Sequence, residues 1–574
     1  MSNWGTPAEL TGSAASRLKA ELFKRGVLPL NVNMRCTSPG RMSLSVRVED
    51  EMILREALEA LGAAAPPASG DSQLLMDKWR EHRLAWRRAD ESYHAGDISR
   101  ITGEWREILD PAQRTAVNAM LEPGLLGFCL FDEQGTGKTF MGLGLIHHMF
   151  MTGRVNQLLV FCPSSMTGEW VERLSSVNAL SSKIKGLVSL HEAGENIHNT
   201  CSRSVGIVTN YHQASANAQV LATWAHRALS KSDAARTLLI IDESFFVKND
   251  EAQMSQAVMA IREHCSYGLV LCGTPAPNRP DDIVHQFNIA DLGATLGLYR
   301  PTDDDHRNLE ELSARIDEGG AFLRRLKKDV LSDLPEKSFR IVRLAMTELH
   351  HLEYDKVKRS YRADLINLGS GQFGSKFHTF LERRMMLIRL CAFPDGNLVP
   401  SSANAKFKAL KEILEDVCLK GLRKLIIWSS YKDSLKEIER LVSGMGITLG
   451  RIDGSVEPQE RTAIVKAFQE TATPQVIIAN PSAAGAGLTL HAASHAVYMS
   501  YPSQAAHFLQ SIDRIHRRGQ NASETVFHLL VFDKTIEEKE LTRLFRKEST
   551  QADLLGDVFS LPRTVSDFIA EIDD

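Results

Sequence analysis

The stretch "FCLFDEQGTGKT", Phe128 to Thr139, decides how this chain folds. A short apolar run stops at Asp132, a glycine-rich turn follows, and Lys-Thr closes it. Such a run, too short for a core helix, reads as a buried strand. The glycines let successive backbone N–H groups turn inward around phosphate oxygens. Lys138 would then reach the β- and γ-phosphates of ATP, and Thr139 would set its hydroxyl on Mg²⁺. The spacing is the shorter G-x-G-K-T form, since the longer one wants glycine where Phe131 or Asp132 stands. Gly135, Thr136, Gly137, Lys138 and Thr139 are thus expected to cradle a nucleotide.

Outward from this turn the same rhythm repeats. "QLLVFCP", "VGIVTNY", "TLLIIDE" and "YGLVLCGT" are apolar runs divided by helical stretches. The rhythm breaks at about 285–400, which is charged and mostly helical, and resumes with "KLIIWSSY", "LGRIDG", "QVIIANP", "HAVYMSY" and "VFHLLVF". Runs rich in Val, Ile and Leu on both faces are those of parallel strands covered by helices. The expectation is an α/β protein with two doubly wound sheets, whose chemistry follows the carboxyl ends of the strands. The boundaries read as an accessory region at 1–100, a first lobe at 101–335, a helical bridge at 336–400 and a second lobe at 401–574. "AAAPPASGDS" (63–72) reads as a linker within the accessory region, after a strand-like "MSLSVRVED" and an amphipathic "EMILREALEALG".

Bulk properties narrow the class. The chain has 574 residues, 43% hydrophobic and 24% charged, with a net charge of −4, an ordinary globular balance. No apolar run approaches the roughly 20 residues of a membrane span, and the first residues lack a signal peptide's apolar core, so a cytoplasmic protein is expected. Eight cysteines without a C-x-x-C pair argue against a zinc site or a disulfide framework. The net charge does not advertise nucleic acid, but "FLRRLKKDV" (322–330) and "FLERRMMLIRL" (380–390) are local basic clusters.

"LLIIDESFFVKND" (238–250) delivers two carboxylates at a strand end. Asp242 can hold the Mg²⁺ that Thr139 touches, while Glu243 orients and deprotonates an attacking water. "QSIDRIHRRGQ" (510–520) places Gln510, Arg514 and Arg517 at i, i+4 and i+7, which on a helix is one face. Two guanidiniums there can meet a transferring γ-phosphate. They fall in the second lobe and Lys138 in the first, so ATP state would be tied to domain geometry, as in a motor.

From about 105 to 550 the chain resembles the Swi/Snf-type ATPases of helicase superfamily two, whose core is two RecA-like lobes. "DPAQRTAV" puts Gln113 where that family reads adenine. "LVFCPSSMTGEW", with Ser164 and Trp170, and "IVTNYHQ", with Thr209, are similar to its first DNA-contacting segments. "LCGTPAPNRPDDI", with Thr274 and Asn278, is similar to its Gly-Thr-Pro motif, and "LRRLKKDVLSDLPEK" to its lobe-crossover signature. "DGSV", Arg461, Phe468, "GAGLTLHAASH" and "DRIHRRGQ" complete the second lobe. Lys248-Asn249 after the acidic box marks the Swi/Snf branch. The resemblance implies ATP and Mg²⁺ as cofactors and double-stranded or branched DNA as partner. It also implies nucleotide contact at Gly487 and DNA contacts at Ser164, Trp170, Thr209, Ser429 and Thr489. A monomer is expected, nucleoid-associated in a bacterium or phage-infected cell, with a replication, recombination or transcription protein as an open partner. Two features depart from the pattern. Phe245 replaces the His that ends the acidic box, which puts coupling to the Gly-Thr-Pro motif in doubt, and "YPSQ" (501–504) replaces Trp-Asn-Pro.

Trp79, Arg83 and Trp86 share a helix face in the basic "KWREHRLAWRR". Packing of these rings on the first lobe, under arginine stems, is the favoured reading over base stacking. The function expected is ATP-driven translocation on double-stranded DNA. The rivals are a strand-separating DNA or RNA helicase and a DNA- or polymerase-binding scaffold with a degenerate ATPase.

Overall fold

The structure is a computed structural model that describes residues 8–25, 27, 32–46, 50–62, 70–176, 187–189, 204–227, 234–273, 275, 280–301, 305–331, 334–366, 373–393, 403–473, 475–482, 488–503 and 505–550. Apart from two short segments, the chain divides into a compact unit ending at Arg325 and another beginning at Leu326.

The first unit opens with a small antiparallel sheet of β1 (Ala8–Thr11), β2 (Val32–Ser38) and β3 (Arg41–Val46), ordered β1-β3-β2. Helices Gly12–Lys24 and Glu51–Ala60 close its core around Leu18, Leu22, Leu44, Leu54 and Leu58. This region packs on the lobe that follows it. Leu298 joins its core, Asp50 pairs with Arg300, and the Trp79 indole donates to Leu292 O at 3.1 Å. Trp79 and Trp86 are both buried on the Gly70–His94 helix, the packing role favoured by the sequence. Most of the 63–72 stretch lies outside the described residues.

The main sheet of this unit holds seven parallel strands: β4 (Gly127–Leu130), β5 (Gln157–Cys162), β6 (Leu187–Ser189), β7 (Gly206–Asn210), β8 (Thr237–Asp242), β9 (Tyr267–Leu271) and β10 (Phe322–Leu323). Their order is β10-β4-β9-β8-β5-β7-β6. Every residue of β5, β8 and β9 is buried, because helices cover both faces of a parallel sheet. In register, Phe161 of β5 lies level with Ile241 of β8 and with Thr209 of β7, so three neighbouring strands end together.

The second unit holds six parallel strands: β11 (Glu336–Leu344), β12 (Lys424–Trp428), β13 (Leu449–Ile452), β14 (Val476–Ala479), β15 (Ala493–Tyr498) and β16 (Glu524–Phe532), ordered β11-β16-β15-β12-β14-β13. β11 corrects the sequence reading, which began a helical bridge at 336. An edge strand is half solvated, so "EKSFRIVRL" carries charges and lacks an unbroken apolar run. The helices expected after it, Glu348–Ile366 and Phe373–Ala392, do form, and they bury Tyr354, Tyr361, Leu387 and Ile388 against Phe532 and Ile536. Among the described residues no helix is long and apolar enough to cross a membrane.

Candidate nucleotide site

β4 leads into the glycine-rich turn, and the helix Lys138–Met151 leaves it. Gly135 and Gly137 have φ of 86° and 93°, left-handed values that strain any residue with a Cβ. Gly137 is constrained twice, because a Cβ there would stand 2.3 Å from Nε2 of Gln113. Gln113 therefore lies directly over the turn. Its helix starts with a reciprocal cap: Gln113 N donates to Asp110 at 2.8 Å, and Asp110 N donates to Gln113 Oε1 at 3.2 Å. Lys138 Nζ donates to Asp132 O at 2.9 Å, and Thr136 Oγ1 to Glu133 O at 2.9 Å. Thr139 is half-buried, one residue into the helix.

The Asp132 side chain is held in turn by Arg325 of the crossover signature. Arg325 N and Nε reach its carboxylate at 3.0–3.1 Å, and the guanidinium also donates to Ala112 O, beside Gln113. Arg324 donates to Phe131 O and, at 3.0 Å, to Gly273 O. In the second unit Lys327 pairs with Asp513 and donates to His516 O at 2.8 Å. Much of "LRRLKKDV" thus ties loops together and is not a solvated basic face.

β8 delivers Asp242 and Glu243, both buried. Burial, and then the adjacent Glu243 carboxylate, lift the Asp242 carboxyl to about 7. The Trp170 indole N–H donates to Asp242 Oδ2 at 2.8 Å, which opposes that rise, and the Tyr211 hydroxyl donates to Asp242 O. Glu243 has φ of 54°, a left-handed backbone for a residue that is not glycine. Ser244 Oγ donates to Gln286 Oε1, and Gln286 Nε2 donates to Pro275 O and, at 2.7 Å, to Asp282 O. Lys248 pairs with Asp282 at 2.7 Å, and Asn249 accepts from Glu251 N. The polar link between the acidic box and the Gly-Thr-Pro stretch therefore runs through Ser244, not through position 245. Phe245 is buried and stacks on Phe246, with centroids 4.5 Å apart.

In the second unit the helix Ala505–Asp513 carries Gln510 but stops before the arginines, which corrects the expectation of one helical face. The carbonyl of Arg514 accepts from Leu490 N at 3.0 Å, and the chain turns there. The two arginines still converge, because each donates to Leu488 O, Arg514 at 3.2 Å and Arg517 at 3.4 Å. Gln510 is buried, and its Nε2 has no hydrogen-bond partner among the described residues.

Of the residues expected to touch DNA, Ser164 is exposed and Thr489 half-buried. Trp170, Thr209 and Ser429 are each 0% exposed, which corrects their reading as DNA contacts. Trp170 is spent on Asp242, Thr209 Oγ1 lies 3.4 Å from Gln213 Oε1, and Ser429 Oγ lies 3.3 Å from Ser500 Oγ. Gly487, Thr274 and Asn278 lie outside the described residues. Sequence reasoning missed Arg325, Tyr211, Ser244 and Gln286. Only Ser244, a polar residue directly after the acid pair, left a local trace.

The donor set suits Mg²⁺ bound together with phosphates. Thr139 and Asp242 offer hard oxygens, and Mg²⁺ held with a nucleotide needs only one or two protein carboxylates. Among the described residues no cluster of three or more His, Cys, Asp or Glu could cage an ion by itself.

Comparison with known proteins agrees with this geometry. The SNF2-related domain family matches residues 112–395, and the helicase conserved C-terminal domain matches 405–519. The SWI/SNF-related matrix-associated actin-dependent regulator of chromatin subfamily A-like protein 1 of Xenopus tropicalis is 26% identical over 76% of this chain and 44% of its own length. The human DNA annealing helicase and endonuclease ZRANB3 is 26% identical over 80% of this chain and 42% of its own length. The chain thus spans less than half the length of these two relatives. A solved structure, the Sulfolobus solfataricus SWI2/SNF2 ATPase core in complex with dsDNA, matches at 22% identity and a TM-score of 0.36, covering 78% of this chain and 92% of that one. With two parallel sheets, a phosphate turn, an acid pair and both family domains in order, the chain belongs to the SNF2-related helicase-like ATPases.

Proposed function

We propose that this ATPase moves along double-stranded DNA, stepping on the phosphate backbone with each ATP cycle. The observation that carries the reading is the gathering of groups at the carboxyl ends of the strands of the first sheet. The Lys138 turn follows β4, the Asp242–Glu243 pair ends β8, and the exposed Ser164 and His212 follow the neighbouring β5 and β7. Catalytic groups and duplex-facing segments would then share a single rigid support.

Lys138 would exchange the Asp132 carbonyl for the β- and γ-phosphates, and Gln113, already over Gly137, would read the base. Thr139 and Asp242 would hold Mg²⁺, which when bound neutralises charge between those phosphates. Glu243 would orient the attacking water and take its proton. Arg514 and Arg517 would meet the charge on the transferring phosphoryl group, a role worth roughly 10³–10⁵ in rate. Backbone contact implies weak sequence preference and steep salt dependence.

ATP hydrolysis should be measured with no nucleic acid and with single-stranded DNA, double-stranded DNA, branched DNA and RNA. Duplex or branched DNA is expected to stimulate without extensive strand displacement. Robust unwinding of long duplexes, or stimulation by RNA alone, defeats the reading. Lys138→Ala and Glu243→Gln both abolish turnover, but only the Glu243 variant still binds a fluorescent ATP analogue. Normal turnover in either overturns the site assignment.

A further inference from the structure

Two segments that follow neighbouring strands send a side chain inward to the same acid. After β5, Ser164 and Ser165 are exposed at a short 3-10 turn, Gly168 is exposed on the helix Thr167–Ser176, and Trp170 on that helix is wholly buried. After β7, Asn210 caps the helix Tyr211–Ala216 by accepting from Gln213 N at 3.0 Å. His212 there is exposed while Tyr211 is buried. Each segment has an outward polar end and one inward ring. Trp170 reaches the Asp242 carboxylate at 2.8 Å, and Tyr211 reaches the Asp242 carbonyl.

The indole also lies against the helix that leaves the phosphate turn, since a Cβ at Gly142 would stand 3.6 Å from its Cη2, an ordinary contact distance. Tyr211 is also in ring contact with Phe246 just beyond the acid pair, with centroids 5.6 Å apart. A buried indole on a short helix has no room to shift alone, so displacement of the helix start moves its N–H relative to the carboxylate. A hydrogen bond to a buried carboxyl oxygen weakens steeply as its distance and angle change.

We infer that Trp170 and Tyr211 are positioning residues that couple the two duplex-facing segments to the metal-binding Asp242. Backbone phosphate contact at Ser164–Gly168 or Asn210–Gln213 then sets where the carboxylate stands. This rests on the duplex-translocation reading above. It also gives the chain a coupling route that does not need a histidine at position 245.

The test uses the full chain and its Trp170→Phe and Tyr211→Phe variants, each checked by thermal melt. Binding of a fluorescent ATP analogue is titrated at graded Mg²⁺, with and without a long DNA duplex. In the parent, duplex is expected to lower the Mg²⁺ needed for half-maximal binding. In the Phe variants that shift is expected to vanish, while Mg²⁺-free nucleotide binding stays within about twofold. The ratio of duplex-stimulated to basal hydrolysis is expected to fall about tenfold in Trp170→Phe. If the Trp170 variant does not fold, Tyr211→Phe, which loses only a hydroxyl, decides by the same titration. A stimulated parent whose variants keep the full shift and ratio overturns the coupling alone. A parent that no nucleic acid stimulates overturns the coupling and the proposed function together.

Discussion

Replacing Arg325 by Met should reveal how much the crossover segment contributes to the phosphate turn. Arg325 is 7% exposed and Asp132 is 0% exposed. The guanidinium is the carboxylate's ion-pair partner, and it also donates to Ala112 O at the start of the Gln113 helix. Met keeps much of the packing volume but strands a buried carboxylate, a change that costs about 3–5 kcal/mol. Asp132→Asn in the same chain removes the stranded charge, so the double variant should recover about 1–3 kcal/mol of that loss. Six of the seven tryptophans (Trp4, Trp79, Trp86, Trp105, Trp170 and Trp224) precede Leu326, so fluorescence during urea unfolding follows the first unit. Lys138 rests on the Asp132 carbonyl and Gln113 lies over Gly137, so affinity for a fluorescent ATP analogue should drop by about tenfold as well. An Arg325→Met chain within about 1 kcal/mol of the parent, with unchanged nucleotide affinity, would refute the reasoning.

Three further outcomes follow from the structure. Ser244→Ala should lower the ratio of DNA-stimulated to basal hydrolysis. Phe245→His should leave that ratio unchanged and cost about 1–3 kcal/mol of stability, because a buried ring would exchange a stacking partner for an unmet polar group; a Phe245→His chain with a raised ratio contradicts this. In the second unit, burial holds the ring-stacked His495 and His528 at about 4. Their folded values lie below the unfolded value near 6.5, so the unfolded chain takes up protons first and stability should fall as pH drops from about 6.5 toward 4. His528→Gln should flatten that fall by about one proton in urea melts across this range, and an unchanged slope counts against it.

The phosphate turn and the acid strand were legible because buried parallel strands are unbroken apolar runs with chemistry at their ends. β11 was not, because a half-solvated edge strand carries charges that break the apolar run by which the buried strands were recognised. The helical periodicity of Gln510, Arg514 and Arg517 was real in the sequence, yet the carbonyl of Arg514 bonds to Leu490 instead of continuing the helix. Tryptophan looks the same in a sequence whether it stacks on a base or serves an acid 72 residues away, so the role of Trp170 was invisible. The same holds for Arg325, whose basic neighbours suggest a nucleic-acid face while its partner sits 193 residues earlier.

The left-handed backbone of Glu243 has a consequence for directed evolution. A side-chain-bearing residue held there costs on the order of 1–3 kcal/mol, which glycine would relieve. A library of this chain screened only for heat resistance would accordingly enrich Glu243→Gly, and on the role proposed for this carboxylate its sturdiest survivors would no longer turn over ATP. Any thermostabilisation campaign therefore needs turnover as a paired selection, because under the proposed role of Glu243 ruggedness and chemistry compete at this position.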